Sequence, residues 1–321
     1  MKVLVTGAAG FIGSSLCEAL LAQGHSVVGV DAFNRTYDPQ LKRWNLTRCL
    51  LDPKFELTQA DILDEQSIQS LFVSAAPDAV IHLAALAGVR PSILNPVLYQ
   101  RVNVEGTTNV LEAARRAGIK RFIFGSSSSV YGERKAVPFR EVDSVDHPVS
   151  PYAATKKAGE LLCHTYHHLF DMEIDCLRFF TVYGPRQRPE MAIYKFADAM
   201  LDGRTITMYG DGSSARDYTY ISDIIDGVIS ALHQPDGYRV MNLGGARVVT
   251  LSDLVTTLGE ILECSPKLAH MPNQAGDVSI TSADVQRAQA ALGFAPQVSL
   301  SQGLERFAQW LKVVKHSPSE R

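Results

Sequence analysis

The 321-residue sequence has few cysteines and no long apolar run, and each shortage excludes a class of protein. Its five cysteines are odd in number and scattered, so neither a disulfide framework nor a Cys-x-x-Cys zinc site is expected. No stretch approaches the roughly 18 apolar residues of a membrane span. The chain runs directly into Lys2–Gly7 without the pattern of a signal peptide, so a cytoplasmic protein is expected.

An excess of basic residues is also missing. The chain carries 31 lysines and arginines against 34 aspartates and glutamates, a formal net charge of −3. Nucleic acid and membrane are therefore not expected as partners. What is present is an ordinary globular composition, with 46% hydrophobic and 20% charged residues. His164 and His168 share a helical face, but no nearby cysteine or acid completes a metal shell, and no metal site is expected.

Two periodicities alternate over the first 180 residues. Short apolar runs, typical of buried strands, lie at Val3–Thr6, Val27–Val30, Ala79–Leu83, Phe122–Phe124 and Ile174–Phe179. Helical patterns lie between them at Phe11–Gln23, Ser67–Ala75, Val104–Gly118 and Tyr152–Phe170. This alternation predicts an α/β fold, a Rossmann-like doubly wound parallel sheet with a smaller C-terminal α/β substrate domain. The larger domain is assigned to 1–180, with 218–244 returning to it, and the smaller one to 181–217 and 245–321.

A glycine-rich turn joins the first strand to the first helix. It consists of Gly7, Gly10, Phe11, Ile12 and Gly13. The glycines allow a tight turn and a close approach to a pyrophosphate, whose charge then lies at a helix N-terminus. Asp31 ends the next apolar run, where an acidic side chain binds both ribose hydroxyls and repels a 2′-phosphate. The pattern predicts NAD, rather than NADP, as the cofactor.

Two later strand ends extend the expected cofactor site. Asp61 and Ile62 follow the run Phe55–Ala60 and are placed to reach the adenine. Small side chains in Leu83-Ala84-Ala85 leave room for a flat cofactor to pass over the sheet.

A tyrosine and a lysine supply the expected catalytic pair. Tyr152 and Lys156 are four residues apart and share one face of a helix. An ammonium near a phenol favours the phenolate and lowers the tyrosine pKa toward the range of a general base. The run Ser126–Ser129 follows the strand Phe122–Phe124, at the edge where open α/β sheets hold ligands. A hydroxyl there can hydrogen-bond a substrate oxygen during proton transfer.

These motifs resemble the extended short-chain dehydrogenase/reductase family, specifically its NAD-dependent nucleotide-sugar epimerases and dehydratases. The resemblance also includes His82-Leu83-Ala84-Ala85, Asn103, Val130-Tyr131-Gly132, Arg178-Phe179, Tyr183-Gly184-Pro185 and Arg216-Asp217-Tyr218. It implies a UDP-sugar substrate held by the smaller domain. It also adds Asn103, Tyr152 and Lys156 to the NAD-binding residues, with Lys156 holding the cofactor ribose. It also implies a homodimer formed through the helices at Val104–Gly118 and Tyr152–Phe170.

The family's other site residues are carried over by position. The serine or threonine four positions before the tyrosine of the Val-Tyr-Gly motif assists catalysis, which corresponds to Ser127, with Ser126 and Ser128 as alternatives. The diphosphate-binding arginine corresponds to Arg216, and a ribose-binding aspartate corresponds to Asp277.

The serine run also separates the chemistries of the family. Related 4,6-dehydratases carry an Asp-Glu pair where Ser128 and Ser129 stand, and related UDP-glucuronate decarboxylases carry a glutamate at the position of Ser129. The hydroxyls of serine side chains cannot do acid–base work near pH 7. The sequence therefore favours epimerisation at C4, through transient oxidation to a 4-keto intermediate and return of hydride to the opposite face.

The segment 179–192 is similar to that of UDP-glucuronate 4-epimerases. Thr181 stands where UDP-glucose 4-epimerases usually have asparagine, and Arg188 begins an Arg-Pro-acid-Met-Ala run. The planar guanidinium fork matches a carboxylate, so Arg188 is the expected partner of the C6 carboxylate, with Arg186 and Arg90 as alternatives. Conversion of UDP-glucuronate to UDP-galacturonate is the expected activity.

Three other functions remain open. A 4-epimerase of a neutral UDP-sugar, such as UDP-glucose or UDP-N-acetylglucosamine, and a UDP-glucuronate decarboxylase are the enzymatic alternatives. A non-catalytic NAD-binding regulator is disfavoured because it would be expected to have lost Tyr152 or Lys156.

Overall fold

The computed structural model describes residues 1–272 and 278–316. The strands are β1 (Lys2–Thr6), β2 (Ser26–Asp31), β3 (Phe55–Gln59), β4 (Ala79–His82), β5 (Arg121–Ser127), β6 (Glu173–Phe179), β7 (Thr181–Tyr183), β8 (Thr205–Tyr209), β9 (Ala215–Tyr220), β10 (Tyr238–Leu243), β11 (Val248–Thr250) and β12 (Lys267–Met271). The α-helices are α1 (Phe11–Ala22), α2 (Pro39–Asn45), α3 (Glu65–Ala75), α4 (Val89–Leu94), α5 (Pro96–Gln100), α6 (Gly106–Arg116), α7 (Pro151–Phe170), α8 (Ala192–Leu201), α9 (Ile221–His233), α10 (Leu251–Leu262), α11 (Gln286–Leu292) and α12 (Leu300–His316). Short 3₁₀ turns lie at Cys49–Leu51 and Ser128–Tyr131, and a π-helical segment lies at Arg101–Glu105.

Seven strands form one parallel sheet in the order β10-β6-β5-β4-β1-β2-β3. Its central strands are buried on both faces, because their side chains alternate between two cores. In β1, Leu4 packs with residues of α3, α6 and α7, whereas Val3 and Val5 pack with residues of α1 and α9. The predicted doubly wound α/β fold is confirmed.

The strand order reverses beside β1, whose neighbours are β4 on one side and β2 on the other. Open α/β sheets bind ligands at this switch point, outside the carboxyl ends of the strands. The register pairs Thr6 of β1 with His82 of β4, so the ends of these two strands lie side by side. The turns that follow β1 and β4 are therefore brought together.

The C-terminal part forms two further small sheets, with orders β11-β9-β7 and β12-β8. Helices α8, α10 and α12 pack behind them and share the core of α1 and α9. The sequence patterns did not predict α2, α4, α5 or α8. No helix within 1–272 and 278–316 has both the length and the apolar character needed to cross a membrane.

Candidate active site

A cavity of about 520 Å³ opens at the carboxyl edge of the large sheet. It is lined by residues that the sequence assigned to three different roles. The predicted residues in its wall are Gly7, Gly10, Phe11, Ile12, Gly13, Asp31, Asp61, Ile62, Leu83, Ala84, Ala85, Ser127, Ser128, Tyr152, Lys156, Thr181, Arg188 and Arg216. Cofactor-binding, catalytic and sugar-binding candidates thus share one continuous space.

The glycine turn fits a pyrophosphate because side chains are excluded from it. Gly7 adopts a left-handed φ of 71°, and a Cβ there would lie 2.9 Å from the backbone nitrogen of Ala84. A Cβ on Gly13 would lie 2.1 Å from the carbonyl oxygen of Gly7. The turn leads into the N-terminus of α1, whose free backbone N–H groups and dipole favour an anion.

Asp31 lies at the end of β2 and is bound on several sides. Its carboxylate accepts hydrogen bonds from the backbone N–H groups of Ala9, at 3.1 Å, and Phe33, at 2.8 Å. The ammonium of Lys42, on α2, lies 3.3 Å from the same carboxylate, and both side chains are buried. The sequence pattern indicated an isolated negative charge at Asp31, whereas the structure gives it a cationic partner.

The turn after β4 is held by buried polar groups beneath it. The Thr6 hydroxyl accepts from the backbone N–H groups of Leu83 and Ala84, each at 3.2 Å, and contacts His82 Nδ1 at 2.7 Å. Burial, and secondarily the charge of Lys156, lowers the pKa of His82 to about 3, so this imidazole is neutral at physiological pH.

Asn103 does not line the cavity, although the sequence assigned it to the cofactor. Its side chain accepts from the Leu86 N–H at 2.8 Å and donates to the Leu86 carbonyl at 2.9 Å. It also donates to the Thr155 hydroxyl at 3.0 Å. Asn103 therefore connects the turn after β4 to α7, which carries Tyr152.

Ile62 and Asp61 form the far wall of the cofactor part of the cavity. Ile62 is buried against α6, and its carbonyl accepts from the Asn109 side chain at 2.9 Å. The Asp61 carboxylate accepts from the N–H of Leu63 at 3.0 Å and remains exposed. Its other oxygen lone pairs face outward and are available to a ligand.

The helix that carries the predicted catalytic pair begins at a capped N-terminus. Ser150 caps α7 by accepting from the Ala153 N–H at 3.1 Å, and Pro151 occupies the first turn. Lys156 donates to the Gly125 carbonyl at 2.6 Å and lies 5.0 Å from the centre of the Phe124 ring. Burial lowers the pKa of Lys156 to about 8.

Burial is the largest influence on the pKa of Tyr152. It raises that pKa, while a hydrogen bond with Ser127 and the charge of Arg188 act in the opposite direction. Ser127 belongs to the serine run and Arg188 to the loop after β7, so both segments favour the phenolate. The expected lowering of the same pKa by Lys156 stays a prediction.

The structure distinguishes the serines of the run. Ser126 and Ser127 belong to β5, which extends beyond the predicted end because it continues to pair with β6. The Ser127 oxygen accepts from the Ser129 N–H, at 3.2 Å, and from the Ser129 hydroxyl, at 2.9 Å. The proton of Ser127 is then left to donate toward Tyr152 and the cavity. Ser128 lines the cavity as well.

Ser126 instead belongs to a buried support for the strand end. Its hydroxyl donates to Glu160 at 2.7 Å. Glu160 also receives two hydrogen bonds from Arg178, both at 2.8 Å, and Arg178 lies over the Tyr131 ring. This bidentate pair joins α7 to β6 beneath the serine run.

The three arginines considered for the sugar point to different places. Arg188 lines the cavity, and its Nε lies 3.1 Å from the Glu190 carboxylate. Arg186 has a left-handed φ of 68° and its guanidinium donates to Glu18 on α1. It contributes nothing to the wall of this cavity, whereas Thr181 at the start of β7 does.

Arg90 lines a second cavity, of about 670 Å³, which adjoins the first at Thr181, Met191 and Arg216. The guanidinium of Arg90 lies 4.9 Å from the centre of the Tyr209 ring, at the end of β8. Arg216 therefore lies where the two cavities meet, which suits a diphosphate that passes from one to the other. Asp277 lies outside the described residues.

Asp217 holds the strand of Arg216 in place. Its carboxylate accepts from the backbone N–H groups of Gly245, at 2.6 Å, and Ala283, at 2.9 Å. Burial raises the pKa of Asp217 to about 6, despite these hydrogen bonds. The carboxylate thus joins β9 to the turn after β10, through Gly245, and to the segment before α11, through Ala283.

Lys42 and Tyr37 also line the first cavity and were missed by the sequence reasoning. The Tyr37 hydroxyl is buried and has no hydrogen-bond partner among the residues of 1–272 and 278–316. The available signal was Asp38-Pro39, an N-cap followed by a first-turn proline, which predicts the start of α2 but not the direction of Lys42. Within those same ranges no cluster of three or more His, Cys, Asp or Glu side chains is arranged to bind a metal.

Comparison with known proteins gives a consistent result. The sequence model of the "NAD dependent epimerase/dehydratase family" matches residues 3–244. A UDP-glucuronate 4-epimerase from Thermodesulfobacterium geofontis is 42% identical over 310 residues, covering 96% of this chain and 95% of the relative.

Two solved structures are similar over nearly the whole chain. A Bacillus cereus UDP-glucuronic acid 4-epimerase, in complex with UDP-glucuronic acid and NAD, has a TM-score of 0.91 and 39% identity, covering 98% of this chain and 100% of that one. A Thermotoga maritima UDP-glucose 4-epimerase with UDP-glucose has a TM-score of 0.92 and 32% identity over the same shares. The predicted family and its NAD dependence are confirmed. The glycine turn, the Asp31 strand end and the Tyr152–Lys156 helix carry this identification, and the chain belongs to the NAD dependent epimerase/dehydratase family.

Proposed function

We propose that this protein is an NAD-dependent 4-epimerase that interconverts UDP-glucuronate and UDP-galacturonate. The observation that carries the proposal is the position of Arg188, a partly buried guanidinium that faces the same cavity as Tyr152 and Thr181. A fixed cation beside the catalytic tyrosine suits a sugar with a carboxylate at C6, whereas a neutral sugar has no group that needs it. The higher identity to UDP-glucuronate 4-epimerases than to the Thermotoga UDP-glucose enzyme supports the same substrate.

Each residue around the reacting C4 atom is proposed to have a separate role. NAD, when bound, supplies the acceptor and donor of the C4 hydride. Tyr152 accepts the C4 hydroxyl proton and later returns it, with Ser127 donating a hydrogen bond to the reacting oxygen or to the phenolate. The raised pKa of Tyr152 suits the return of the proton, and Ser127 and Arg188 ease its removal. Lys156 fixes the strand end at Gly125 and adds positive charge below the site.

The rest of the site is proposed to bind the sugar carboxylate, the diphosphate and the nucleoside. The 4-keto form of a glucuronate is a β-keto acid, which loses carbon dioxide when its carboxylate can rotate freely. Arg188, Thr181 and Ser128 are proposed to hold that carboxylate, and Arg216 to bind the diphosphate. Arg90 and Tyr209 line the part of the second cavity proposed for the nucleoside. Ser129 offers no carboxylic acid to promote decarboxylation.

The large sheet supports the proposed division of the chain, although the boundary at residue 218 falls within β9 of a small sheet. Residues 1–180 are proposed to bind NAD together with 218–244, which contributes β10 to the large sheet. Residues 181–217 and 245–321 are proposed to bind the nucleotide sugar, since they supply most of the second cavity.

The protein is further proposed to act as a cytoplasmic homodimer. Apolar side chains are exposed on α4, α5 and α7, and each of these three helices contacts the other two. Leu94 is 80% exposed, Val97 is 73% exposed and Leu161 is 57% exposed. The exposed apolar face lies partly on α7, one of the two helices that the resemblance assigned to the dimer, and the other, α6, packs against α7. Sedimentation of a Leu94→Asp/Leu161→Asp variant should give a monomer if this face forms the dimer.

All five cysteines are free thiols, which is consistent with the reducing environment of the proposed cytoplasmic location.

Product analysis tests the function directly. Purified protein is incubated separately with UDP-glucuronate, UDP-glucose and UDP-N-acetylglucosamine, and the products are separated by chromatography. UDP-galacturonate as the main product, with the highest kcat/KM for UDP-glucuronate, is expected. Preference for a neutral sugar would remove the uronate assignment, a UDP-pentose as the main product would indicate a decarboxylase, and no turnover of any sugar would refute an epimerase.

Two neighbouring arginines provide a matched pair for the specificity. Arg188→Ala should lower the ratio of kcat/KM for UDP-glucuronate over UDP-glucose about ten- to 150-fold, because a hydrogen bond to a charged group contributes about 1.5–3 kcal/mol. The variant should also release some UDP-pentose. Arg186→Ala removes the contact with Glu18 and should leave that ratio unchanged. An equal effect of both substitutions would contradict a direct contact between Arg188 and the carboxylate.

A further inference from the structure

We propose that Lys42 is a latent binding group for the 2′-phosphate of NADP, held by Asp31, so that the pair and not Asp31 alone determines the choice between NAD and NADP. The inference concerns the cofactor end of the cavity and is independent of the proposed sugar substrate. It adds a specificity-determining residue that no motif in the sequence revealed.

The geometry places the ammonium beside the ribose-binding position. Lys42 Nζ lies 3.3 Å from Asp31 Oδ1 and donates to Asn34 Oδ1 at 2.9 Å. The aromatic ring of Tyr37 covers it, with its centre 5.3 Å from Nζ. Asp31, Asn34, Tyr37 and Lys42 all line the cavity wall. An NAD site therefore contains the type of cation that NADP sites use to bind their extra phosphate.

The ion pair changes the reason for rejecting NADP. An isolated aspartate repels a 2′-phosphate by its charge, but the Lys42 ammonium neutralises Asp31 in this protein. Rejection must then come from the hydrogen-bonding arrangement. Asp31 is fixed by the N–H groups of Ala9 and Phe33 and keeps Lys42 bound to itself and to Asn34. Two of the three ammonium protons are used in this way.

Removal of the Asp31 charge should release this cation. In Asp31→Asn, the amide oxygen can still accept from a backbone N–H, but Lys42 then has only neutral oxygens, those of Asn34 and of the new amide, as hydrogen-bond acceptors. The buried ammonium then has no neutralising charge, and a phosphate dianion is the ligand that restores it. A single substitution should therefore convert a neutral pair into a phosphate site.

The experiment measures nucleotide exchange on the holoprotein rather than turnover. Protein carrying its resident nucleotide is incubated with increasing NADP, and the released NAD is quantified after separation. Wild type, Asp31→Asn, Lys42→Met and the double variant Asp31→Asn/Lys42→Met are compared. Asp31→Ser, alone and combined with Lys42→Met, repeats the comparison with a smaller side chain in case the asparagine variant does not fold.

The expected result depends on Lys42. Asp31→Asn should improve displacement by NADP, relative to displacement by NAD, about ten- to 150-fold, and addition of Lys42→Met should abolish most of this gain. The improvement should also weaken as salt is raised, because it is electrostatic. If the double variant accepts NADP as well as the single variant does, Lys42 is not the phosphate ligand and the proposal is wrong. It is equally wrong if neither Asp31 variant improves NADP binding.

Discussion

At the cofactor end of the cavity, Asp31 and Lys42 form an ion pair whose side chains are only 6% and 7% exposed. At the sugar end, Arg188 and Glu190 form another pair, whose side chains are 20% and 38% exposed. The first pair joins a strand to a helix and is fixed by the backbone N–H groups of Ala9 and Phe33. The second joins two residues of one loop, two positions apart.

The difference between the two ion pairs matches the ligands proposed for the two ends of the cavity. In the proposed reaction NAD is regenerated in every turnover and stays bound, so its site gains from rigid, closed contacts. UDP-sugars must enter and leave, and an arginine whose partner is partly exposed can exchange that partner for a substrate carboxylate at little cost. We therefore expect Glu190 to compete with the substrate carboxylate for Arg188.

The largest expected effect comes from the tyrosine that lies between the two ends. Tyr152→Phe removes the acid–base group and should lower kcat by about 10²–10⁴. The NAD content of the purified protein should be unchanged, since the cofactor end is built from other residues. Tyr99→Phe is the control, because Tyr99 packs edge-on against Tyr152 and donates its hydroxyl proton to the Ala87 carbonyl. Loss of NAD in Tyr152→Phe would show that retention depends on the reacting end as well.

A smaller effect is expected from Ser127. Its hydrogen bond lowers the pKa of Tyr152, so Ser127→Ala should raise that pKa further. At a given pH less phenolate is then available, so the acidic limb of the profile of kcat against pH should move to higher pH. At pH values on that limb, kcat should fall about tenfold. Ser128→Ala should change KM without moving the limb. A limb that moves in Ser128→Ala and not in Ser127→Ala would reassign the role to Ser128.

The smallest effect is expected at the exchangeable pair. Glu190→Gln removes the carboxylate that competes for Arg188, so KM for UDP-glucuronate should fall by about 1.5- to fivefold, the range that an exposed ion pair can supply. The KM for UDP-glucose should stay the same, and so should the NAD content. A rise in KM for UDP-glucuronate would mean that Glu190 positions Arg188 and does not compete for it.

Short-range patterns in the sequence were sufficient to predict the cofactor and several residues of its proposed site, although not Lys42. The glycine turn, the acidic end of β2 and the four-residue spacing of Tyr152 and Lys156 each depend on neighbours within a few positions. The strands were predicted because burial on both faces leaves continuous apolar runs. The extension of β5 to Ser127 was not predicted, because it depends on pairing with β6, about 50 residues away in the chain.

What the sequence by itself determined is therefore the fold, the family and the cofactor, while the catalytic pair stays a prediction. The tertiary structure decided which side chains meet. Arg186 and Arg188 are both arginines of one loop, and the left-handed backbone at Arg186 directs one toward α1 while the other lines the cavity. Lys42 reaches Asp31 only because α2 folds back onto the end of β2. Side-chain direction in irregular segments depends on backbone dihedrals and distant packing, and neither leaves a period in the sequence.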